Sequence, residues 1–293
     1  MIPASEFVIN PDGSCFHLHV RPDQLADKVV MCGDPARVDM IASFFDSREC
    51  DITAREFHTI TGTFGGKRIT AISHGIGPDN IDIVLTELDA LKNVDFQTRE
   101  LHPEHHTLEI VRVGTCGGLQ PDCPVGTAIV SDLSVGFDGV LNWYAGRDSV
   151  CDLDFERELT AYVGYPRKAA SPYVVRANEE LAARFQGEDI VHGVTVSAVG
   201  FYGPQGRVIR LPLASPLLNQ RLGDFRYADA RAGIERRITN YEMESAPLAG
   251  LSLLLGHKAV TVCSVVANRV ALNSTPNYHD AMERLVRRVL EVI

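Results

Sequence analysis

The sequence predicts a single α/β domain, a mostly parallel or mixed sheet covered by helices, and three observations predict it. Strand-like runs alternate with helical patterns from one end to the other. Residues 259–267 are nearly all apolar and β-branched, as in a strand buried on both faces. No repeat, low-complexity tract or Pro/Ser linker divides the 293 residues, so one domain spanning 1–293 is expected. A domain of this size buries about three quarters of its unfolded surface.

The elements follow in order. Residues 1–27 read as a polar lead-in whose one apolar spot is Phe16-His17-Leu18-His19. Residues 28–32 read as a short buried strand. Gly33-Asp34-Pro35-Ala36-Arg37-Val38 then feeds a helix, with Asp34 as its cap and Pro35 in the first turn. Strands are expected at about 57–63 and 68–73 around a Gly65-Gly66 turn. Gly75-Ile76-Gly77-Pro78 breaks the chain before a helix that carries Ile81, Val84, Leu85, Leu88 and Leu91 on one face.

Residues 93–108 are polar and read as a charged surface insertion. His102, His105 and His106 invite a metal reading, but the scarcity of apolar anchors favours a solvated loop. A strand at 109–113 runs into Gly114-Thr115-Cys116-Gly117-Gly118, and another starts at 127 and ends at 133. A loop-rich middle, 136–173, precedes a helix near 178–186 and a strand near 190–199. Residues 200–240 are rich in Gly, Pro and Arg and resist assignment. Residues 278–293 put Ala281, Met282, Leu285, Val286, Val289 and Leu290 on one face of a core-packing helix.

Composition narrows the function classes. The balance of 28 Lys+Arg against 38 Asp+Glu gives a formal charge of −10, which argues against a nucleic-acid binder. An anionic small substrate stays open, because clustered arginines outweigh acidic groups more than about 8 Å away. The seven cysteines are scattered and never form C-x-x-C, which points away from disulfides or zinc and towards a reduced, cytosolic setting. The start has no basic residue followed by an apolar run, so no signal peptide is expected. The longest apolar run, 246–255, is too short to span a bilayer.

The stretch with most chemistry is Asn240-Tyr241-Glu242-Met243-Glu244-Ser245. Residues i and i+2 of a helix lie about 200° apart, so Glu242 and Glu244 can share a face only in an extended segment or one entering a helix. Pro247 suits that first turn and Ser245 is the expected cap. Carboxylates only accept hydrogen bonds, which suits a ligand rich in hydroxyls. Three glycine-flanked loops each follow a strand and carry a cation or hydroxyl. They are Gly33 to Arg37, Arg112 to Gly118, and Gly203-Pro204-Gln205-Gly206-Arg207. None is a P-loop or a dinucleotide fingerprint.

In order, F-H-L (16–18), G-D-P-A-R-V (33–38), R-E-F (55–57), R-V-G-T-C-G-G (112–118), F-Y-G-P-Q-G-R (201–207), N-Y-E-M-E-S (240–245) and A-N-R (267–269) resemble the nucleoside phosphorylase superfamily. Within it the chain is most similar to the uridine phosphorylases. The resemblance implies a three-layer αβα sandwich with a central mixed β-sheet. It implies a phosphate site of Gly33, Arg37, Arg112 and Thr115, with Arg55 reaching in from a neighbouring subunit. It gives His17 of the neighbour the ribose 5′-hydroxyl, and Glu242, Met243 and Glu244 the sugar. Phe201, Gln205 and Arg207 would hold the pyrimidine, with Arg112, Arg207, Gln205 and Glu244 as the catalytic set.

The implied partners are a nucleoside and inorganic phosphate, with no organic cofactor, in a homo-oligomer that is at least a dimer and by resemblance a hexamer. Some relatives hold potassium through a glutamate that Glu56 matches, although Asn80 replaces a serine there. Other departures are Cys116 in place of a threonine, the order Gly203-Pro204, a longer 208–239 segment and the 93–108 insertion. The rival readings are a purine nucleoside phosphorylase, a nucleosidase, and a nucleoside-binding or storage protein of the same fold.

Overall fold

The computed structural model describes residues 1–293. Its first half contains β1 (Lys28–Cys32), α1 (Pro35–Ala42), β2 (Ser47–Ala54), β3 (Phe57–Phe64), β4 (Lys67–Ser73) and α2 (Pro78–Asn93). A small hairpin, β5 (Val94–Asp95) and β6 (Glu100–Leu101), leads to β7 (Glu109–Gly118) and β8 (Ala128–Gly136). Next come α3 (Leu153–Val163), β9 (Tyr173–Arg176), α4 (Glu179–Ala183) and β10 (Ile190–Ser197). The last part holds α5 (Leu218–Asp224), β11 (Arg226–Asp229), β12 (Ile234–Glu242), α6 (Ser245–Leu255), β13 (Lys258–Asn268), β14 (Asn273–Ser274) and α7 (His279–Val292).

One mixed sheet organises the chain, in the order β11-β12-β10-β8-β13-β7-β1-β4-β3-β2. Strand alternation divides its two faces. Val30, Val111, Val113, Val260 and Val262 pack against α1, α4 and α7. Their neighbours Val29, Met31, Ile110 and Ala259 pack against α2 and α6. The helix–sheet–helix layering expected from the resemblance is present. It carries one addition: β12 also pairs antiparallel with β7, Asn240 opposite Gly118 and Tyr241 opposite Gly117. That pairing closes β7, β13, β8, β10 and β12 into a ring.

Several expectations are corrected. The glycine-rich 114–118 segment is no loop but the continuation of β7, paired on one side with β13 and on the other with β12. The lead-in is part of the core, since Cys15, Leu18, Val20 and Leu25 are buried with α2. A strand at 47–54 pairs with β3, and its polar alternation hid it. Inside the expected loop-rich middle lies α3, capped by Asp152 and ended by Gly164. Phe155, Leu159 and Val163 form its buried stripe, a spacing the sequence displays.

The 93–108 stretch is mostly exposed, as expected, yet it is anchored. Arg99 donates to the carbonyls of Ile2, Pro3 and Phe7. The histidine cluster that forms in space is His105, His257 and Asp89, not the three neighbours in sequence. His257 Nδ1 accepts from the Leu108 N–H at 3.2 Å, which leaves the ring proton on Nε2, 3.1 Å from Asp89. A protonated Nε2 is not a metal ligand.

The edge strand β11 is held by charge. Asp229 accepts from Arg176 at 2.8 and 2.9 Å and from Arg236 at 3.1 Å. Burial pushes its carboxyl up, but the two arginines outweigh it and hold it down at about 2, against an ordinary 3.8. A depressed carboxylate stabilises the fold above its unfolded value, and the contribution disappears as pH falls through the folded one. Thermal melts of wild type are therefore expected to lose stability between about pH 4 and 2 more steeply than melts of Asp229→Asn. Parallel curves would remove this network from the acid transition.

Candidate active site

The carboxyl ends of β1, β4 and β7 lie together because β1 runs parallel to both neighbours, with Met31 beside Ile72 and Arg112. Ligands of α/β sheets collect at such ends. The β12–β7 pairing then delivers Glu242, the last residue of β12, to the same place. A cavity of about 780 Å³ opens there.

Its charged floor is a triad. Arg112 Nη1 lies 3.0 Å from Glu242 Oε2, and Nη2 bonds Glu244 Oε2. All three side chains are at least nine-tenths buried. Burial alone pulls the Arg112 guanidinium down, but Glu244 and Glu242 outweigh it and hold it firmly charged. One cation cannot fully offset two buried carboxylates. Burial accordingly pushes the Glu244 carboxyl up, with Arg112 pulling against it.

Glu242 and Glu244 do different jobs locally. Glu242 accepts from the Glu244 N–H at 2.8 Å, from the Ser245 N–H at 2.9 Å and from Ser245 Oγ at 2.6 Å. The expected Ser245 cap is thus replaced by Glu242, whose oxygens are filled by the α6 entrance and Arg112. Glu244 is less engaged: one oxygen meets Arg112 and the other accepts from the Gly77 N–H at 2.8 Å. Gly77 has φ +106, so glycine is what lets that N–H turn towards the cavity.

His74 completes the setting of Arg112. Its Nε2 accepts from Arg112 Nε at 3.1 Å. Burial first, then the Arg112 charge, push the His74 imidazole far down, so it stays a neutral acceptor. No sequence signal singled it out, because its role depends on a strand two places away in the sheet.

The remaining expected residues divide into two groups. Gly33, Arg37, Thr115, Met243, Phe201, Gln205 and Arg207 line the same cavity, as does Glu56. Arg37 is buried and donates to the Val113 carbonyl at 3.3 Å. Arg207 lies 3.8 Å above the Phe201 ring and also donates to Gln205 Oε1. Burial, then the nearby Arg269, pull Arg207 down to about 10, which leaves it a cation at neutral pH.

His17 and Arg55 do not line this cavity. They sit together elsewhere on the protomer's surface, with Phe16 between them: the Arg55 guanidinium is 5.4 Å from the Phe16 ring, which packs edge-on against His17. Glu87 grips His17, accepting from its backbone N–H at 3.0 Å and meeting Nδ1 at 2.6 Å. Arg55 has φ +56, uncommon for a non-glycine residue and frequent at functional sites.

Arg269 is a residue the sequence reading gave no role. Like Arg207, it comes within 3.9 Å of where a Cβ on Gly117 would stand, and its buried Nη1 has no partner. Its motif, A-N-R, was visible, but only the parallel β13–β7 register puts it beside the cavity.

The phosphorylase superfamily profile matches residues 27–293. The chain belongs to that superfamily. A uridine phosphorylase of Thermococcus kodakarensis is 30% identical over 259 residues, 88% of this chain and 79% of the relative. A DeoD-type purine nucleoside phosphorylase of Aliivibrio fischeri is 29% identical, covering 85% of this chain and 84% of its own. A solved Trypanosoma brucei nucleoside phosphorylase described as showing uridine phosphorylase activity superposes with a TM-score of 0.89. It is 28% identical and covers 98% of each chain. No helix of the chain is long and apolar enough to cross a membrane.

Proposed function

We propose that the chain is a uridine phosphorylase, converting uridine and phosphate reversibly into uracil and ribose 1-phosphate. The observation that carries the reading is a single cavity lined by anion-binding Arg37, Arg112 and Thr115, by Glu244 and Met243, and by Gln205 beside Arg207, which stacks on Phe201. Each group meets one part of the two substrates. Phosphate is close to doubly charged at neutral pH and suits buried arginines and glycine N–H groups. Glu244 accepts from the ribose 2′- and 3′-hydroxyls, and Met243 packs against the sugar. Glu242, already saturated, positions Arg112 and the entrance of α6 instead of touching ribose.

Attack by a phosphate oxygen forms the C1′–O bond as the C1′–N1 bond breaks, through an oxocarbenium-like state. The departing uracil gathers negative charge, which Arg207 stabilises and Arg269 reinforces. The Arg207 contact to Gln205 Oε1 leaves the amide N–H groups to donate to a uracil carbonyl. Phosphate is the one co-substrate required. Potassium is a poor fit to one protomer, because Glu56 and the Asn80 amide supply too few oxygen donors, and no step depends on it.

The purine reading fares worse at one position. A purine leaving group needs an acid near N7, and the late strand ends in Ala267-Asn268-Arg269. Asn268 is wholly occupied, donating to the Gln120 and Cys123 carbonyls and accepting from Val270 and Ala271. The separated His17 and Arg55 support a site completed by a second protomer, so the working unit is at least a dimer in a cytoplasmic homo-oligomer of single-domain subunits.

Uracil release from uridine by the purified protein, with and without phosphate, tests the function. Phosphate-dependent release is expected, with inosine turned over at least about 10²-fold more slowly because its base lacks an acid partner. Release without phosphate would make the protein a nucleosidase. Binding of uridine with no release under any condition would make it a binding protein.

A further inference from the structure

Cys116, the residue that departs from the family pattern, does not stand alone. It lines the cavity, and Cys263 is its diagonal neighbour on the adjacent strand β13. Both are buried, in one small cluster with Cys123, Ile129 and Val265. Cys263 Sγ also takes a contact from Arg112 Nη1 at 3.6 Å. The backbone makes room for this: a Cβ at Gly114 would lie 2.8 Å from Cys263 Sγ and 2.6 Å from Arg112 Nη1.

We propose that Cys116 and Cys263 form a dithiol site that captures trivalent arsenicals at the floor of the cavity, against Arg112. The strand register argues for a bridging atom. Cys116 lies opposite Val265 and Cys263 opposite Gly114, so the two cysteines are diagonal neighbours. Diagonal Cα atoms are about 7–8 Å apart, beyond the reach of an unstrained disulfide. An atom between the sulfurs removes that limit.

The reaction balances without an oxidant. With phenylarsine oxide, two S–H bonds and the arsenic–oxygen bond break, two As–S bonds form, and one water leaves with both protons and the oxygen. Arsenic stays trivalent. The ring then occupies the space beside Arg112 and displaces phosphate. Capture does not depend on the proposed reaction; only its effect on turnover rests on that reading.

The test is intact-mass spectrometry of the full-length protein with one equivalent of phenylarsine oxide, alongside uridine phosphorolysis. One adduct per protomer is expected, with at least tenfold loss of activity that 2,3-dimercaptopropanol reverses and 2-mercaptoethanol does not. Cys116→Ser, Cys263→Ser and Cys263→Ala are expected to lose the adduct, and Cys123→Ser to keep it. An adduct that survives in the Cys116 and Cys263 variants, or none in wild type, overturns the site. An adduct that leaves turnover intact overturns its place beside Arg112. If no nucleoside is turned over at all, the mass readout alone decides capture.

Discussion

Replacing Arg112 with alanine is expected to lower kcat/KM for uridine by at least about 10³-fold and to destabilise the protein by about 3–5 kcal/mol. Both effects have one cause. Arg112 is the sole guanidinium between Glu242 and Glu244, and its removal strands two carboxylates in a buried site. It also removes a guanidinium that lines the cavity, where losing one donor typically costs about 10²–10³ in rate.

The variant's stability should depend more steeply on pH at this site. With the cation gone, burial and mutual repulsion raise the folded carboxyls above their unfolded values. A raised acid stabilises the fold at low pH, and that contribution is lost as pH rises through the folded value. Arg112→Ala is therefore expected to melt higher near pH 5 than near pH 8. Arg112→Lys separates the two effects, since it keeps the charge but loses the planar fork. It should recover most of the stability while remaining about 10²-fold slower. A wild-type rate in Arg112→Ala would take Arg112 out of the mechanism.

The second large effect concerns the neighbour. Arg55→Ala is expected to be nearly inactive although Arg55 lies outside its own protomer's cavity. Mixed with Arg112→Lys under subunit exchange, it should regain activity. In a heterodimer, the Arg55→Ala protomer keeps its own Arg112 and receives the partner's intact arginine. Random pairing makes half the dimers mixed with one good site each, so about a quarter of wild-type activity is expected. Mixtures that stay at the level of the parents, with exchange verified by mass, would mean that each protomer completes its own site.

Much of the fold was legible because its signals are local. The strands at β1, β3, β4 and β13 and the helices α2 and α7 announce themselves by runs and spacing within a single element. Where the reading failed, the local signal was weak or belonged to a partner. Strand β2 has a polar outer face, and β12 lies in a stretch crowded with Gly, Pro and Arg. The glycines of 114–118 looked like a loop, yet they are strand residues kept small because Arg112 and Cys263 lie against one of them.

By itself the sequence determined which groups are available: the arginines, the N-Y-E-M-E-S carboxylates, the Gln205–Arg207 pair, and an order of motifs specific enough to point to one superfamily. The tertiary structure alone decided what each group touches. Arg112 and Glu244 are 132 residues apart and meet only because β12 closes onto β7. That closure also brought Glu242 to Arg112, while the parallel order of β7, β1 and β4 made His74 the holder of Arg112, and His17 and Arg55 lie outside their own cavity. Periodicity and capping act over a few residues and can be read along the chain. Burial and pairing of charges depend on which distant strands become neighbours, and that is set by the folding of the whole sheet.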